Sequence, residues 1–190
     1  MKDGTATEAS RSKIASIRSD EETLHMENRK VEIQRLSMTT SKPFEAVLDA
    51  LDAAIGHPDL AELRQISEGD GSFGELKGAI DHVLGGVDLM LFMKFDLGSI
   101  LRKESGRDKP KIVRLLVGNP LIMKEMARHT PEAGSYAPVT ILVHERPDGV
   151  HLEYDRMASL LAPYGNRESL AVARNLDLKV ENLLREAAAA

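Results

Sequence analysis

The spacing of apolar residues changes repeatedly along the chain, and each change predicts an element. In "KVEIQRLSM" (residues 30–38), Val31 and Ile33 alternate with polar neighbours, while Leu36 and Met38 alternate in the opposite phase. Period two is the mark of a half-buried strand, and the phase slip predicts a β-bulge near Gln34 or Arg35. In "TSKPFEAVLDALDAAIG" the period becomes helical: Phe44, Val47, Leu48, Leu51 and Ile55 share one face. Ser41 is the expected cap, Pro43 and Glu45 suit the first turn, and Gly56 suits the stop. The stretch 57–86 reads as two short helices around the Gly-rich loop "EGDGSFG". That loop lacks the Gly-Lys-Ser/Thr ending of a phosphate loop and reads as a solvent loop.

From residue 87 the period is two again. "VDLMLFMKFD" places Leu89, Leu91, Met93 and Phe95 on one face and Met90 and Phe92 on the other, the pattern of a central strand covered on both sides. "KPKIVRLLVG" is a second buried strand. "PVTILVHERPDGVHLEYD" is a hairpin about Pro147-Asp148-Gly149. A Pro-Asp-Gly turn favours a bulged, shifted register, whereas burial favours Ile141 and Val143 facing Tyr154 and Leu152. Burial decides, because a one-residue slip would turn the whole apolar set outward. Asn166 then caps a long helix whose Leu170, Ala173, Leu176, Val180, Leu183 and Ala187 form a buried stripe. The expected fold is α+β: an antiparallel sheet of about five strands packed against N-terminal helices and a long C-terminal helix.

Composition narrows the possibilities. The 190 residues and 42 % apolar content suit one core, expected over residues 28–190, while the unpatterned polar stretch 1–27 reads as a disordered tail. A net charge of -5 argues against a non-specific nucleic-acid binder, which needs a basic footprint. No apolar run is long enough to span a bilayer, so no membrane association and a cytoplasmic location are expected. The absence of cysteine removes disulfides, thiolate nucleophiles and Cys-based metal sites. No cofactor is expected.

"LFMKFDLGSIL", "KIVRLLVGNPLIMKEMARHTP", "YAPVTILVHERPDGVHLEYDRMASLL" and "LDLKVENLL" occur in this order. Together they resemble the domain of unknown function 302 family, over roughly residues 30–186. The resemblance implies a fold similar to the TATA-binding-protein-like arrangement and assembly as a small homodimer. It implies no reaction, because none is established for the family. Where relatives often carry Asp-His-Gly, this chain reads Asp96-Leu97-Gly98, so a role resting on that histidine does not transfer.

Each candidate site residue has a functional reading beside a structural one. Gly118 permits a turn, Asn119 is an N-cap type, and Pro120 suits the first helical position, so helix initiation accounts for all three. The same helix start would offer N–H groups to an anion, with Arg114 as the matching cation. Asp96 ends an apolar strand and is either a desolvated acid of raised pKa or an ordinary turn residue. His129 falls where a cation suits a helix C-terminus. Tyr154 reads as a core aromatic with its hydroxyl at the sheet edge. His144 and His151 face each other across the hairpin, with Glu153 on the same face. They read as solvent-facing imidazoles, and no metal site is expected.

The leading expectation is a domain that binds a small anionic molecule in a pocket between sheet and helices. Asp96, Arg114 and Asn119 would form its polar end, with Gly118 and His129 beside them and Leu91, Phe92, Met93 and Tyr154 among its walls. The alternatives are a homodimeric interaction module without ligand, its contact made by a sheet or hairpin edge, and an enzyme using Asp96 as general acid or base.

Overall fold

The computed structural model describes residues 26–108 and 110–189. The tail expected over residues 1–27 lies, apart from Met26 and Glu27, outside the described residues. One compact unit spans Val31–Ala190. Its first strand, β1 (Arg35–Thr40), is followed by α1 (Phe44–Ala54), α2 (Leu60–Glu68) and α3 (Phe73–Val83). Then come β2 (Met90–Asp96), α4 (Gly98–Ser105), β3 (Ile112–Gly118), α5 (Pro120–Ala127) and a 3-10 turn at Pro131–Ser135. The hairpin β4 (Val139–Arg146) and β5 (Gly149–Asp155) leads through α6 (Met157–Leu161) into the long α7 (Arg167–Ala188).

The five strands form one antiparallel sheet in the order β1-β5-β4-β3-β2. Strands β2 to β5 follow one another across the sheet, and β1 adds beside β5. The expected α+β class and hairpin register hold: Ile141 pairs with Tyr154, Val143 with Leu152 and His144 with His151. One face of the sheet is the core. Val113, Leu115, Val117, Ile141, Val143, Leu152 and Tyr154 are buried there together with Phe44, Val47, Leu48 and Leu51 of α1 and Leu176, Val180, Leu183 and Leu184 of α7. Each fully buried aliphatic side chain contributes about 1.5–3 kcal/mol, so this face carries most of the stability.

Several expectations are corrected. Strand β1 begins only at Arg35, with Leu36, Met38 and Thr40 turned inward, and Ile33 is exposed. The phase slip therefore marks the strand's start rather than a bulge. Ser41 does not cap α1; Pro43 stands at the N-cap with extended backbone and no side-chain bond. The hairpin β4–β5 lies inside the sheet, so the free edges are β1 and β2 and the hairpin has none. Strand β2 is thus an edge strand, not a central one. Its register shifts between Leu91 and Met93, so Leu91 pairs with Val117 on the core side while Met93 and Phe95 pair with Leu116 and Arg114 on the opposite face. One inserted residue reverses the phase, which no alternation count can register.

The helices away from the core are set by their own caps. Asp59 accepts from Ala61 and Glu62 N–H at the start of α2, and Ser72 and Glu75 form a reciprocal capping box on α3. Helix α2 buries no residue and α3 only Ile80, so both attach lightly. At the other end of the chain, Thr40 Oγ1 donates to Ala188 O (2.9 Å) and Lys42 Nζ to Ala187 O and Ala189 O (both 3.2 Å). These bonds satisfy carbonyls that the end of α7 leaves open. Among the described residues no helix is long and apolar enough to cross a membrane.

Candidate functional site

The step from β3 into α5 is built by Gly118, Asn119 and Pro120. Asn119 takes the extended backbone of an N-cap, and its side-chain oxygen accepts from Leu121 N–H at 2.8 Å. Its amide nitrogen donates to Asp88 O at 3.1 Å, tying α5 to the loop before β2 at a residue of positive φ (57°). Asn119 is 9 % exposed and bridges two segments. With no N–H on Pro120 and that of Leu121 already bonded, this helix start has little left to offer an anion.

Beside it lies a cavity of 140 Å³. Its walls are Phe92 at the β2 bulge, Met123 and Met126 of α5, Pro138 and Val139 at the entry to β4, and Leu176 of α7. Gly118 and Asn119 complete the junction side, and Asn119 supplies the one polar side chain among the described lining residues. A Cβ placed on Gly118 would lie 3.4 Å from Pro138 Cβ and 3.5 Å from Phe92 Cε2, so the glycine keeps this wall open by one methyl group.

The expected polar end does not converge. Arg114 sits on the opposite face of the sheet, where it donates to Thr140 Oγ1 at 3.3 Å. There it lines a separate hollow of 170 Å³ with Arg35, Glu153 and Asp155, and Tyr154 borders the same hollow. Asp96 lines a third hollow with Arg102, Lys111 and Glu45. His129 follows the end of α5, is exposed, and lines none of these. Of the expected wall residues, Phe92 lines the cavity beside Asn119; Leu91, Met93 and Tyr154 do not.

Asp96 is not the desolvated acid of raised pKa that its apolar strand suggests. It is exposed, and the hydrogen bond from Arg102 holds its carboxyl below the usual range, with the Arg102 charge and the N–H of Ser99 adding to the effect. Ser99 N–H reaches Asp96 Oδ1 at 3.0 Å, and Ser99 Oγ donates back to Asp96 O at 2.7 Å. Asp96 therefore organises the start of α4. A carboxylate held ionised is a poor proton donor at neutral pH.

The imidazoles are not solvent-facing either. His144 is buried and stacks on His151 with ring centroids 5.1 Å apart and 15° between planes. His144 Nε2 lies 3.3 Å from Glu153 Oε1, and His151 Nε2 lies 2.9 Å from Asp148 Oδ1. Each ring thus has its own carboxylate. Among the described residues no group of three or more His, Cys, Asp and Glu side chains is placed to hold a metal ion.

The buried polar centre that pattern reading missed is Asp177. It lies on the apolar stripe of α7 and accepts from Tyr154 Oη (2.6 Å), Met157 N–H (2.8 Å) and Ala158 N–H (3.1 Å). Burial raises its pKa, and burial followed by the Asp177 charge raises that of Tyr154. This pair welds the end of β5 and the start of α6 to α7, a structural role for Tyr154 well inside the sheet. Asp177 and Glu181, four residues apart on an otherwise apolar stripe, are the visible signal; Glu181 is likewise buried and meets Arg156 Nη1 at 2.8 Å.

The chain belongs to the family described as domain of unknown function DUF302, whose model matches residues 65–187. That match starts within α2, leaving β1 and α1 before it. The crystal structure of an uncharacterised conserved DUF302 protein from Bacillus stearothermophilus superposes with a TM-score of 0.55 at 10 % identity, covering 80 % of this chain and 97 % of that one. No curated protein matches the chain. The likeness is one of fold.

Proposed function

We propose that this domain binds a small, mainly apolar molecule in the cavity beside Gly118-Asn119-Pro120, with Asn119 as its polar contact. One observation carries the reading: a 140 Å³ space walled by an aromatic ring, two thioethers and aliphatic groups, with a single polar side chain in its lining. Apolar cavities of roughly 150 Å³ take up benzene-sized molecules, and a few polar groups in an apolar pocket are what orient a ligand. Methionines adapt their shape to such occupants and pack well on aromatic rings. The ligand expected from the sequence was anionic, with Arg114 as its cation. No basic side chain lines this cavity among the described residues, so the proposal is for an uncharged molecule.

The test is a ligand-observed NMR and thermal-shift screen with benzene, indole, phenol and short alcohols. Saturable binding to the wild type is expected, with loss in Met123→Trp, whose indole would fill the space; circular dichroism checks that the variant folds. Failure of every probe to bind the folded wild type overturns the reading.

A second reading is self-association, and a separate observation favours it. Met93 and Phe95 on the edge strand β2 and Leu97, Ile100 and Leu101 at α4 are all exposed, Ile100 at 72 %. An apolar patch beside an unpaired strand edge fits a second copy of the same edge. Light scattering of the wild type and of Phe95→Asp/Ile100→Glu tests it. A dimer that the double substitution splits is expected, and a wild-type monomer across a wide concentration range refutes it.

A further inference from the structure

On the other side of α5 lies a second, larger hollow. Helix α3 touches α5 but packs loosely, Ile80 being its one buried side chain. The gap is a groove of 350 Å³ with an apolar floor made by Leu121, Ile122, Val172 and Leu176 and one wall made by Phe73. Phe73 is 53 % exposed, far more than a ring at a helix start needs to be. Around this floor stand Lys77 of α3, Lys124 of α5 and Lys179 of α7, against Glu125 as the lining acid. Three lysines from three helices thus stand at one apolar groove, each paired with a carboxylate at its rim.

We propose that this groove binds a single-chain amphiphile with an anionic head, of the alkyl carboxylate class: the chain lies along Phe73, Ile122 and Val172, and the head meets the lysines. The volume falls within the range of small-molecule sites, roughly 300–1,000 Å³. The lysines are available for exchange. Lys124 Nζ lies 4.8 Å from the Phe73 ring centre and 2.6 Å from Glu125 Oε1, Lys179 Nζ lies 2.7 Å from Asp88 Oδ2, and Lys77 pairs with Asp81. Such exposed pairs contribute about 0–1 kcal/mol, so a carboxylate head can replace one with little loss. Long lysine stems also extend the apolar wall while their ammonium groups stay in water. The head group separates this site from the cavity beside Asn119, which has no cation among its described lining residues.

The test titrates the isotope-labelled full chain with decanoate below its micelle concentration and follows the amide signals of Phe73, Ile122 and Val172. Decanol, decyltrimethylammonium and phosphatidylglycerol vesicles serve as the other arms. Saturable decanoate shifts are expected in the groove, with the cationic analogue at least about tenfold weaker. Lys124→Gln and Lys179→Gln should each weaken decanoate about two- to fivefold, the scale of one exposed ion pair. Phe73→Ser, exposed and so safe for folding, should weaken all chains alike. Met123→Trp, which fills the other cavity, should leave decanoate binding unchanged. Equal binding of carboxylate and ammonium heads, insensitivity to Phe73→Ser, loss in Met123→Trp, or vesicle binding without saturable decanoate binding would each overturn the proposal.

Discussion

The junctions β3-to-α5 and β2-to-α4 are written in nearly the same residues and end in different chemistry. Each passes from an apolar strand through a polar residue and a glycine into a helix of eight residues. At β3-to-α5 the glycine comes first and Asn119 is buried, with its oxygen on Leu121 and its nitrogen on Asp88. At β2-to-α4 the polar residue comes first and Asp96 is exposed, with its carboxylate shared between Ser99 and Arg102. What differs is the position of the strand. Strand β3 is flanked on both sides, so its exit lies among α5, α7 and the β4 entry, where a cavity can form. Strand β2 is an edge, so its exit meets water. The same local grammar therefore starts a helix in both places, beside an apolar cavity in one and beside a hollow lined by charged side chains in the other.

The glycines should separate the two junctions most visibly. A Cβ on Gly98 would stand 2.5 Å from Pro110 O and 2.9 Å from Ile112 N, both backbone atoms that can move only with the strand. Gly98→Ala is expected to lower stability by about 3 kcal/mol, the upper end of overpacking effects. Urea unfolding monitored by circular dichroism measures it. A loss below about 1 kcal/mol would mean that the α4 junction yields and that the two junctions differ little in strain.

Asn119→Ala is expected to come next, near 2 kcal/mol. It removes an N-cap, typically about 1 kcal/mol, and also the side-chain hydrogen bond to Asp88 O, which contributes about another 1 kcal/mol. Asn119→Asp separates the two contributions. It keeps the cap oxygen but sets a carboxylate against Asp88 O, so denaturation should show it to be no better than alanine. Recovery of full stability in the aspartate variant would mean that the bond to Asp88 carries nothing.

How much of this could be read beforehand follows from the range of the interactions. The helix starts at Asn119 and Asn166 and the hairpin register were legible because each depends on neighbours close in sequence or on one clean alternation. The β2 face was not, because the inserted residue at Phe92 is defined by its pairing with β3. The cavity was half legible. Gly118 and Asn119 stood out, whereas Met123 and Met126, three apart on a short helix, become a wall only once Leu176 arrives from α7. Arg114 failed as a site residue for a parity reason: it alternates with Val113 and Leu115, and their burial places it on the far face. Asp177 was hidden in an apolar stripe, where its partners Tyr154 and Met157 lie about twenty residues away.

Asp96→Asn should have a small effect with a diagnostic pH dependence. The folded pKa of Asp96 lies below the ordinary 3.8. A depressed carboxylate stabilises the fold above its unfolded pKa and loses that contribution as pH falls through the folded one. The pair with Arg102 is largely exposed, so a difference of about 0.5 kcal/mol between wild type and variant is expected at pH 7, shrinking towards zero as the pH drops below about 4. A difference that instead grows in acid would mean a raised pKa and would restore Asp96 as a candidate general acid.

Gly118→Ala should move stability least and is the sharpest probe of the cavity. Its backbone is not in the left-handed region, and a new methyl would meet Pro138 and Phe92 at 3.4–3.5 Å, close to ordinary contact. Replacing glycine where alanine fits restricts the unfolded chain and favours folding by about 0.4–1 kcal/mol, which offsets any small displacement of Pro138. The net change should stay within about 0.5 kcal/mol, against the roughly 3 kcal/mol expected at Gly98. Binding should respond differently, because that methyl enters the space a ligand would use. A ligand that loses contact for about one methylene loses ~0.8 kcal/mol, or roughly fourfold in affinity. Calorimetric titration with whichever neutral probe binds the wild type measures this directly. Unchanged affinity beside unchanged stability would place the ligand elsewhere and leave Gly118 as a turn residue, the equal of Gly98 in kind though not in strain.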